Sequence, residues 1–255
     1  MRHLLTFLLF TFPLLAADPP KGTLVIVGGG KLPAAVRDEF VTRAGGAAKA
    51  KIVVIPTASE SADDAKEHAG YLQQWKDAKV ADVQLLHTRD AKTANSDDFV
   101  KPLLDATGIW FSGGDQSKLT KAYSGTKVLE AIKKRYADGA AVGGTSAGAA
   151  VMSDVMITGG TEEATTADGF GLLPGTVVDQ HFTQRKREKR LAGVIAKHPK
   201  SLGIGIDEST AVVVNGGVAA VMGEGKAWFS ESGGKVEPIG LKAGESYDLK
   251  ERKRK

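Results

Sequence analysis

Short apolar runs alternate along the chain with longer stretches in which apolar residues recur at helical spacing. The runs at 23–27, 51–55, 83–86, 108–111 and 140–142 are rich in Val, Ile, Leu and aromatic side chains, as strands buried on both faces are. Between them, 34–43, 62–75, 97–104 and 119–136 carry the pattern of amphipathic helices. Strands that alternate with helices imply a sheet covered on both sides, so the chain is predicted to be α/β, a doubly wound and mostly parallel sheet flanked by helices. Ligands in such sheets collect at the carboxyl ends of the strands, which gathers the loops after Val27, Ile55, Phe111 and Val142 on one edge. The segment 204–229, alternating and broken by Gly216-Gly217 and Gly223-Glu224-Gly225, reads as a closing antiparallel region. No internal repeat or linker divides the chain.

The N-terminus departs from this pattern. Arg2 and His3 precede an apolar run at 4–15, and Ala16 and Ala17 lead into Asp18-Pro19-Pro20. A basic start, a short apolar core and a small-residue exit predict a secretory signal over 1–17, one mature domain over 18–255, and export to the periplasm or the medium. A bilayer takes about 20 apolar residues to span, so no stable membrane insertion is expected after signal removal. Composition narrows the chemistry: with no cysteine among 255 residues, thiolate catalysis, Cys-ligated zinc and disulfides are excluded. The formal charge of +4 owes much to Lys250, Arg252, Lys253, Arg254 and Lys255. No aromatics interleave with that tail, so it reads as a solvated, frayed end and nucleic acid is not an expected partner.

Candidate chemistry centres on Gly144-Thr145-Ser146-Ala147-Gly148, a G-x-S-x-G between a strand and an Ala-rich helical stretch at 149–152. That context is a nucleophile elbow, in which small neighbours let a sharp, strained turn close around the serine. The following helix start offers backbone N–H groups, beginning with Ala147, to an oxyanion. A second glycine turn, Phe111-Ser112-Gly113-Gly114-Asp115-Gln116, ends the neighbouring strand, and the amide of Gly114 or Asp115 is a candidate second donor; Asp115 also suits a helix N-cap. Gly28-Gly29-Gly30 lacks the spaced third glycine of a dinucleotide fingerprint and reads as a tight turn. Of five histidines, His3 lies in the signal, His68 in a polar helix, His87 ends a strand among charged residues and His198 precedes Pro199; His181, at a strand end after 176–178, is the candidate base. Glu162 and Glu163, in a polar loop after Gly159-Gly160, are candidates to orient the imidazole. Asp207 and Glu208, which follow an apolar strand-like run, are rivals. A basic helix predicted over 183–191 places Arg185, Arg187 and Arg190 to fork onto substrate carboxylates.

Taken together, Phe111-Ser112-Gly113-Gly114-Asp115-Gln116, Gly143-Gly144-Thr145-Ser146-Ala147-Gly148-Ala149, Asp179-Gln180-His181-Phe182 and Gly203-Ile204-Gly205-Ile206-Asp207-Glu208 resemble the landmarks of the cyanophycinase and aspartyl dipeptidase group of serine peptidases, in its order. The pattern Gln184, Arg185, Arg187, Arg190, Leu191 brings the resemblance closer to cyanophycinase. The resemblance implies a fold like that of class I glutamine amidotransferases with Ser in place of Cys, and a Ser, Glu and His triad without metal or cofactor. Counted from Gly160, it points to Glu163 as the acid. It implies an acyl-enzyme mechanism acting on a peptide rich in aspartyl groups, of the kind from which cyanophycinase releases β-Asp-Arg, with Gln116, Asp179 and Gln180 reading the terminal residue and the arginines meeting carboxylates. Two departures bear on substrate: the stretch between Gly160 and Phe170 is short for cyanophycinases, and Lys186 stands where a small residue is usual. Rival readings are an exported aspartyl dipeptidase or other isopeptidase and, from another class, a non-catalytic protein that captures acidic peptides. Homodimerisation is left open.

Overall fold

The computed structural model describes residues 19–233 and 237–255, so the apolar run at 4–15 and the signal read over 1–17 lie outside the described residues. The first half of the chain is the expected alternation. Strands β1 (Thr23–Val27), β2 (Lys51–Ile55), β3 (Asp82–Leu85), β4 (Gly108–Phe111) and β5 (Ala141–Thr145) are interleaved with helices α1 (Ala34–Arg43), α2 (His68–Asp77), α3 (Ala91–Ala94), α4 (Asp97–Leu104), α5 (Gln116–Tyr123) and α6 (Lys127–Asp138). A four-residue helix, α7 (Ala147–Ala150), follows β5. Next come β6 (Val155–Gly159), β7 (Thr165–Asp168), β8 (Thr176–Gln180), helix α8 (Glu188–Lys197) and β9 (Leu202–Ile206). The chain finishes with β10 (Thr210–Asn215), β11 (Val218–Gly223), β12 (Lys226–Ser230), β13 (Ile239–Lys242), β14 (Ser246–Asp248) and β15 (Lys253–Arg254).

Nine strands form the large sheet in the order β15-β14-β11-β10-β1-β5-β4-β2-β3. From β1 to β3 all pairings are parallel, and from β1 outward to β15 all are antiparallel. Alternate residues of the parallel strands feed two cores. Leu24, Ile26, Val53, Ile55, Ile109, Phe111 and Val142 face one side, and Val25, Val27, Ile52, Val54 and Trp110 the other. On the second side Phe40, Trp75 and Trp110 meet with ring centroids 5.0 to 5.2 Å apart. A Cβ at Gly143 would come within 2.5 Å of the Trp110 ring, so the first glycine of the elbow strand is dictated by packing. Truncating Phe40 to Ala removes the centre of this cluster, a loss of about 3–5 kcal/mol.

A smaller sheet, β13-β12-β9-β8, packs beside the first, and β6 pairs with β7 as a separate hairpin. Within the smaller sheet β8 and β9 run parallel. The segment expected to be antiparallel is therefore divided: β9 begins it as a parallel partner of β8, and β10 crosses into the large sheet.

Three expectations need correction. The helix predicted over 62–75 starts only at His68, because Ser59 and Asp64 accept hydrogen bonds from the amides of Ser61 and Lys66 and divert the chain into two short turns. The helix predicted over 119–136 is two helices, broken at Ser124 in extended backbone and Gly125 at φ +70°. The basic tail is not frayed: β15 pairs with β14, Arg252 donates to the Lys200 carbonyl at 2.6 Å, and Arg254 pairs with Glu245.

Candidate active site

Three strand ends converge. Ser146 lies between β5 and α7 at φ 54°, ψ −112°, a backbone geometry that non-glycine residues rarely adopt. It persists because its surroundings over-determine it: the Ser146 amide donates to the Val27 carbonyl at 3.0 Å, and its carbonyl accepts from Ala149 and Ala150, each at 3.0 Å. The elbow glycines are sterically required. A Cβ at Gly144 would strike the Gly148 carbonyl, and one at Gly148 would strike that of Phe111.

His181 leaves β8 at φ 48°, and its amide donates to the Gly28 carbonyl at 2.6 Å. Its Nε2 lies 2.9 Å from Ser146 Oγ, and its Nδ1 lies 2.5 Å from Glu208 Oε1. Glu208 follows β9, just before Ser209, whose amide donates to the Gly29 carbonyl at 2.8 Å. The turns carrying His181 and Glu208 are also clasped to each other. Asp207, 6% exposed, accepts from the Thr183 amide and hydroxyl at 3.1 and 2.8 Å, while the Glu208 amide donates to Gln184 Oε1 at 3.0 Å.

The Gly28-Gly29-Gly30 turn serves this geometry. At Gly29 (φ +107°) a Cβ would overlap the His181 ring, and at Gly30 (φ +70°) it would lie 2.9 Å from Glu208 Cβ. Only a chain without side chains passes beneath the imidazole and carboxylate at that distance.

Burial holds the His181 imidazole below its ordinary value of 6.5, against the opposing effect of the hydrogen bond that Glu208 accepts and with Arg185 and Arg187 adding to the depression. The ring is thus neutral near pH 7, with a nitrogen free to accept the serine proton. Beside the hydroxyl, a Cβ at Gly113 would sit 3.4 Å from Ser146 Cβ. No carbonyl among the described residues accepts from the Gly114 or Ala147 amide, which leaves both donors unclaimed. Such a set can deprotonate a hydroxyl, attack a carbonyl and hold the resulting charge.

The hydroxyl opens onto a polar cleft of about 360 Å³ that includes Gln116, Thr158, Gly159, Gln180, Arg185 and Arg187. Arg187 Nη1 donates to the Gln180 carbonyl at 2.6 Å, and burial lowers its guanidinium to about 10. Arg185 is exposed and makes no ion pair among the described residues.

Residues 24–222 match the profile described as Peptidase family S51. The chain belongs to that family. It is 37% identical over 216 residues to a cyanophycinase of Nostoc sp. (strain PCC 7120), an alignment covering 80% of this chain and 72% of that one. It is also 37% identical over 217 residues to a cyanophycinase of Synechococcus elongatus, covering 80% and 66%. A crystal structure of a peptidase from an acI-B1 Actinobacterium superposes with a TM-score of 0.74 at 27% identity, covering 89% of this chain and 96% of that one. A putative Peptidase E protein from Listeria monocytogenes EGD-e shares the fold, with a TM-score of 0.60 at 17% identity over 80% of this chain. This S51 member is a cyanophycinase-like, serine-type peptidase hydrolase.

The expected site residues of this S51 chain divide into those that meet and those that do not. Ser146 and His181 meet, with Gly114 and Ala147 beside them. Glu163 does not join them: both ring nitrogens of His181 are taken by Ser146 and Glu208, and Glu162 and Glu163 line a separate depression with Lys197 and His198. Asp115 caps α5, accepting from the Ser117 amide at 2.8 Å, and is not part of the cleft wall. Gln116 lines the cleft, and its Nε2 donates to the Ile157 carbonyl at 2.5 Å. Asp179, 1% exposed, cannot read a substrate: Arg190 forks onto its carboxylate, so neither residue of that pair offers a free charge. Burial pushes the Asp179 carboxyl up while Arg190 and Arg187 pull it down.

The basic helix expected over 183–191 begins only at Glu188. Lys186 at φ 52° breaks it, which lets Arg185 and Arg187 project from a turn. Among the described residues no group of three or more His, Asp or Glu is placed to hold a metal, and no helix is long and apolar enough to cross a membrane.

Proposed function

We propose that this S51 peptidase is a serine exopeptidase that hydrolyses a β-aspartyl peptide bond, of the β-Asp-Arg type, through an acyl-enzyme. The observation that carries the reading is the continuous chain Ser146 Oγ, His181 Nε2, His181 Nδ1, Glu208 Oε1 at the mouth of an arginine-lined cleft. His181 takes the Ser146 proton as Oγ attacks the carbonyl carbon, and the amides of Gly114 and Ala147 hold the oxyanion. Collapse breaks the C–N bond, the imidazolium gives its proton to the leaving nitrogen, and His181 then draws a proton from water that hydrolyses the ester. Glu208, rather than Glu163, holds the imidazole tautomer.

The polar cleft, about 360 Å³ and lined by Arg185, Arg187 and the Asp179-paired Arg190, favours a short acidic segment over an apolar one. Gln116 and Gln180 supply neutral polar contacts, and Arg185 and Arg187 receive carboxylates. A serine at the turn between the parallel strand β5 and helix α7 supports likeness to class I glutamine amidotransferases with Ser in the Cys position. The reading includes export, with residues 1–17 removed, because a basic start, a 12-residue apolar run and Ala16-Ala17 form a secretory signal.

Incubating the mature protein with cyanophycin and with isoaspartyl dipeptides, and identifying products by mass, tests the substrate. Release of β-Asp-Arg supports the reading, and cleavage confined to α-linked peptides contradicts it. Intact mass of protein secreted by its native host tests export, with a new N-terminus near Asp18 as the expected result and a soluble full-length cytoplasmic form as the contrary one.

A further inference from the structure

A second polar cluster lies behind the Gly113-Gly114 turn, and nothing in the reaction above uses it. Thr57 Oγ1 lies 2.8 Å from His87 Nδ1 and 2.7 Å from the Tyr123 hydroxyl, and His87 Nε2 lies 2.8 Å from Asp63 Oδ1. The order hydroxyl, imidazole, carboxylate repeats that of Ser146, His181 and Glu208. It is not a second reactive site, because Thr57 and Tyr123 are wholly buried and no substrate reaches the hydroxyl.

The cluster instead fixes backbone. Arg89 donates Nη1 to the Thr57 carbonyl at 2.9 Å, Nη2 to the Ser59 carbonyl at 2.8 Å and Nε to Asp63 Oδ2 at 2.6 Å. One guanidinium therefore holds the carbonyls of the two residues that flank Ala58. The Ala58 carbonyl, aimed the other way, accepts from the Asp115 amide at 2.9 Å and occupies the space where Gly114 would carry a Cβ. The neighbouring Ser112 amide donates to the Ile55 carbonyl at 3.1 Å. The Gly113-Gly114 turn, at φ +137° for Gly114, is thus laid against the Ala58–Ser59 peptide, whose Ser59 amide donates to the Pro56 carbonyl at 2.7 Å and whose neighbouring carbonyls Arg89 holds.

We infer that Arg89, seconded by Thr57 and His87, is a positioning residue for the Gly114 amide: it holds Ala58 so that the Gly114 N–H points at the oxyanion. The inference rests on the reading of Gly114 as an oxyanion donor. Arg is required here because its planar fork reaches two carbonyls and a carboxylate at once, which a lysine ammonium on one flexible stem does not reproduce. Misaiming one such donor costs on the order of 10²-fold in the rate of attack and leaves ground-state binding alone.

Arg89→Lys, Arg89→Ala and Thr57→Val are compared with wild type for kcat and KM on cyanophycin and for the rate of inactivation by a fluorophosphonate, whose phosphoryl oxygen uses the same donors. The Gly114 amide resonance is followed in ¹⁵N-glycine-labelled protein. Arg89→Lys keeps the charge beside Asp63 and serves as the milder change to the loop, and Thr57→Val keeps side-chain volume. The expected result is kcat and inactivation slower by about 10–100-fold in both Arg89 variants and less in Thr57→Val, with KM within about 3-fold and the Gly114 resonance displaced. Wild-type inactivation rates in the Arg89 variants, or slower rates that only follow the loss of folded protein with Gly114 unmoved, overturn the inference. Failure of the underlying serine mechanism is distinguishable, because wild type itself then escapes labelling at Ser146.

Discussion

The Glu208 carboxylate meets His181 Nδ1 at 2.5 Å while the Glu208 amide donates to Gln184 Oε1 at 3.0 Å, so Glu208 is tied to the turn after His181 through both side chain and backbone. Glu208→Gln is expected to reduce kcat by on the order of 10³–10⁴-fold with the fold intact, since an amide stabilises the imidazolium poorly and selects the wrong tautomer. Glu163→Gln is expected to leave kcat near wild type. Steady-state kinetics of the two variants decide it, and the reverse pattern would move the role to Glu163.

The pH profile follows from the depressed His181. A base that must be neutral loses activity as pH falls through its folded value, which burial sets below 6.5. The acid limb of kcat/KM therefore falls below pH 6.5. Glu208 pulls the value up, so in Glu208→Gln the residual activity persists to still lower pH. An acid limb above 7 in wild type is incompatible with this environment.

Gly29→Ala places a methyl group into the imidazole at a positive-φ position. The expected result is a loss of at least about 100-fold in kcat, because a displacement near 1 Å in a reacting group has that effect. Wild-type kinetics for Gly29→Ala would show that the glycine turn does not set the position of the base.

The arginines separate into two classes by experiment. Asp179→Ala leaves Arg190 buried and unpaired, a loss of about 3–5 kcal/mol of stability read by denaturant unfolding. Arg185→Ala is exposed and is expected to leave unfolding unchanged while raising KM for acidic peptides several-fold. Equal effects of the two on unfolding contradict this division.

Much of this was legible in the sequence. The runs at 23–27, 51–55 and 108–111 match their strands because both faces are buried and the apolar signal is continuous. That Ser146 and His181 would lie at strand ends was legible from the glycines around the one and the strand-like run before the other, and the two meet at 2.9 Å. Glu208 carried the same strand-end signal after Leu202–Ile206, yet a carboxylate reaches the imidazole only through the crossing of β9 into β10, which no local pattern encodes. The role of Gly28-Gly29-Gly30 was hidden for the same reason: the ring it accommodates lies more than 150 residues away in sequence. The resemblance implied a substrate contact for Asp179, and its pairing with Arg190, 11 residues on and across a turn, left no local mark in the sequence.

The most direct test is peptide mapping of the protein after inactivation by a fluorophosphonate. One adduct, on Ser146, formed in proportion to lost activity and absent in His181→Ala, is the predicted result. Complete inactivation with Ser146 unmodified, or stoichiometric labelling of Ser146 with activity retained, would contradict the account.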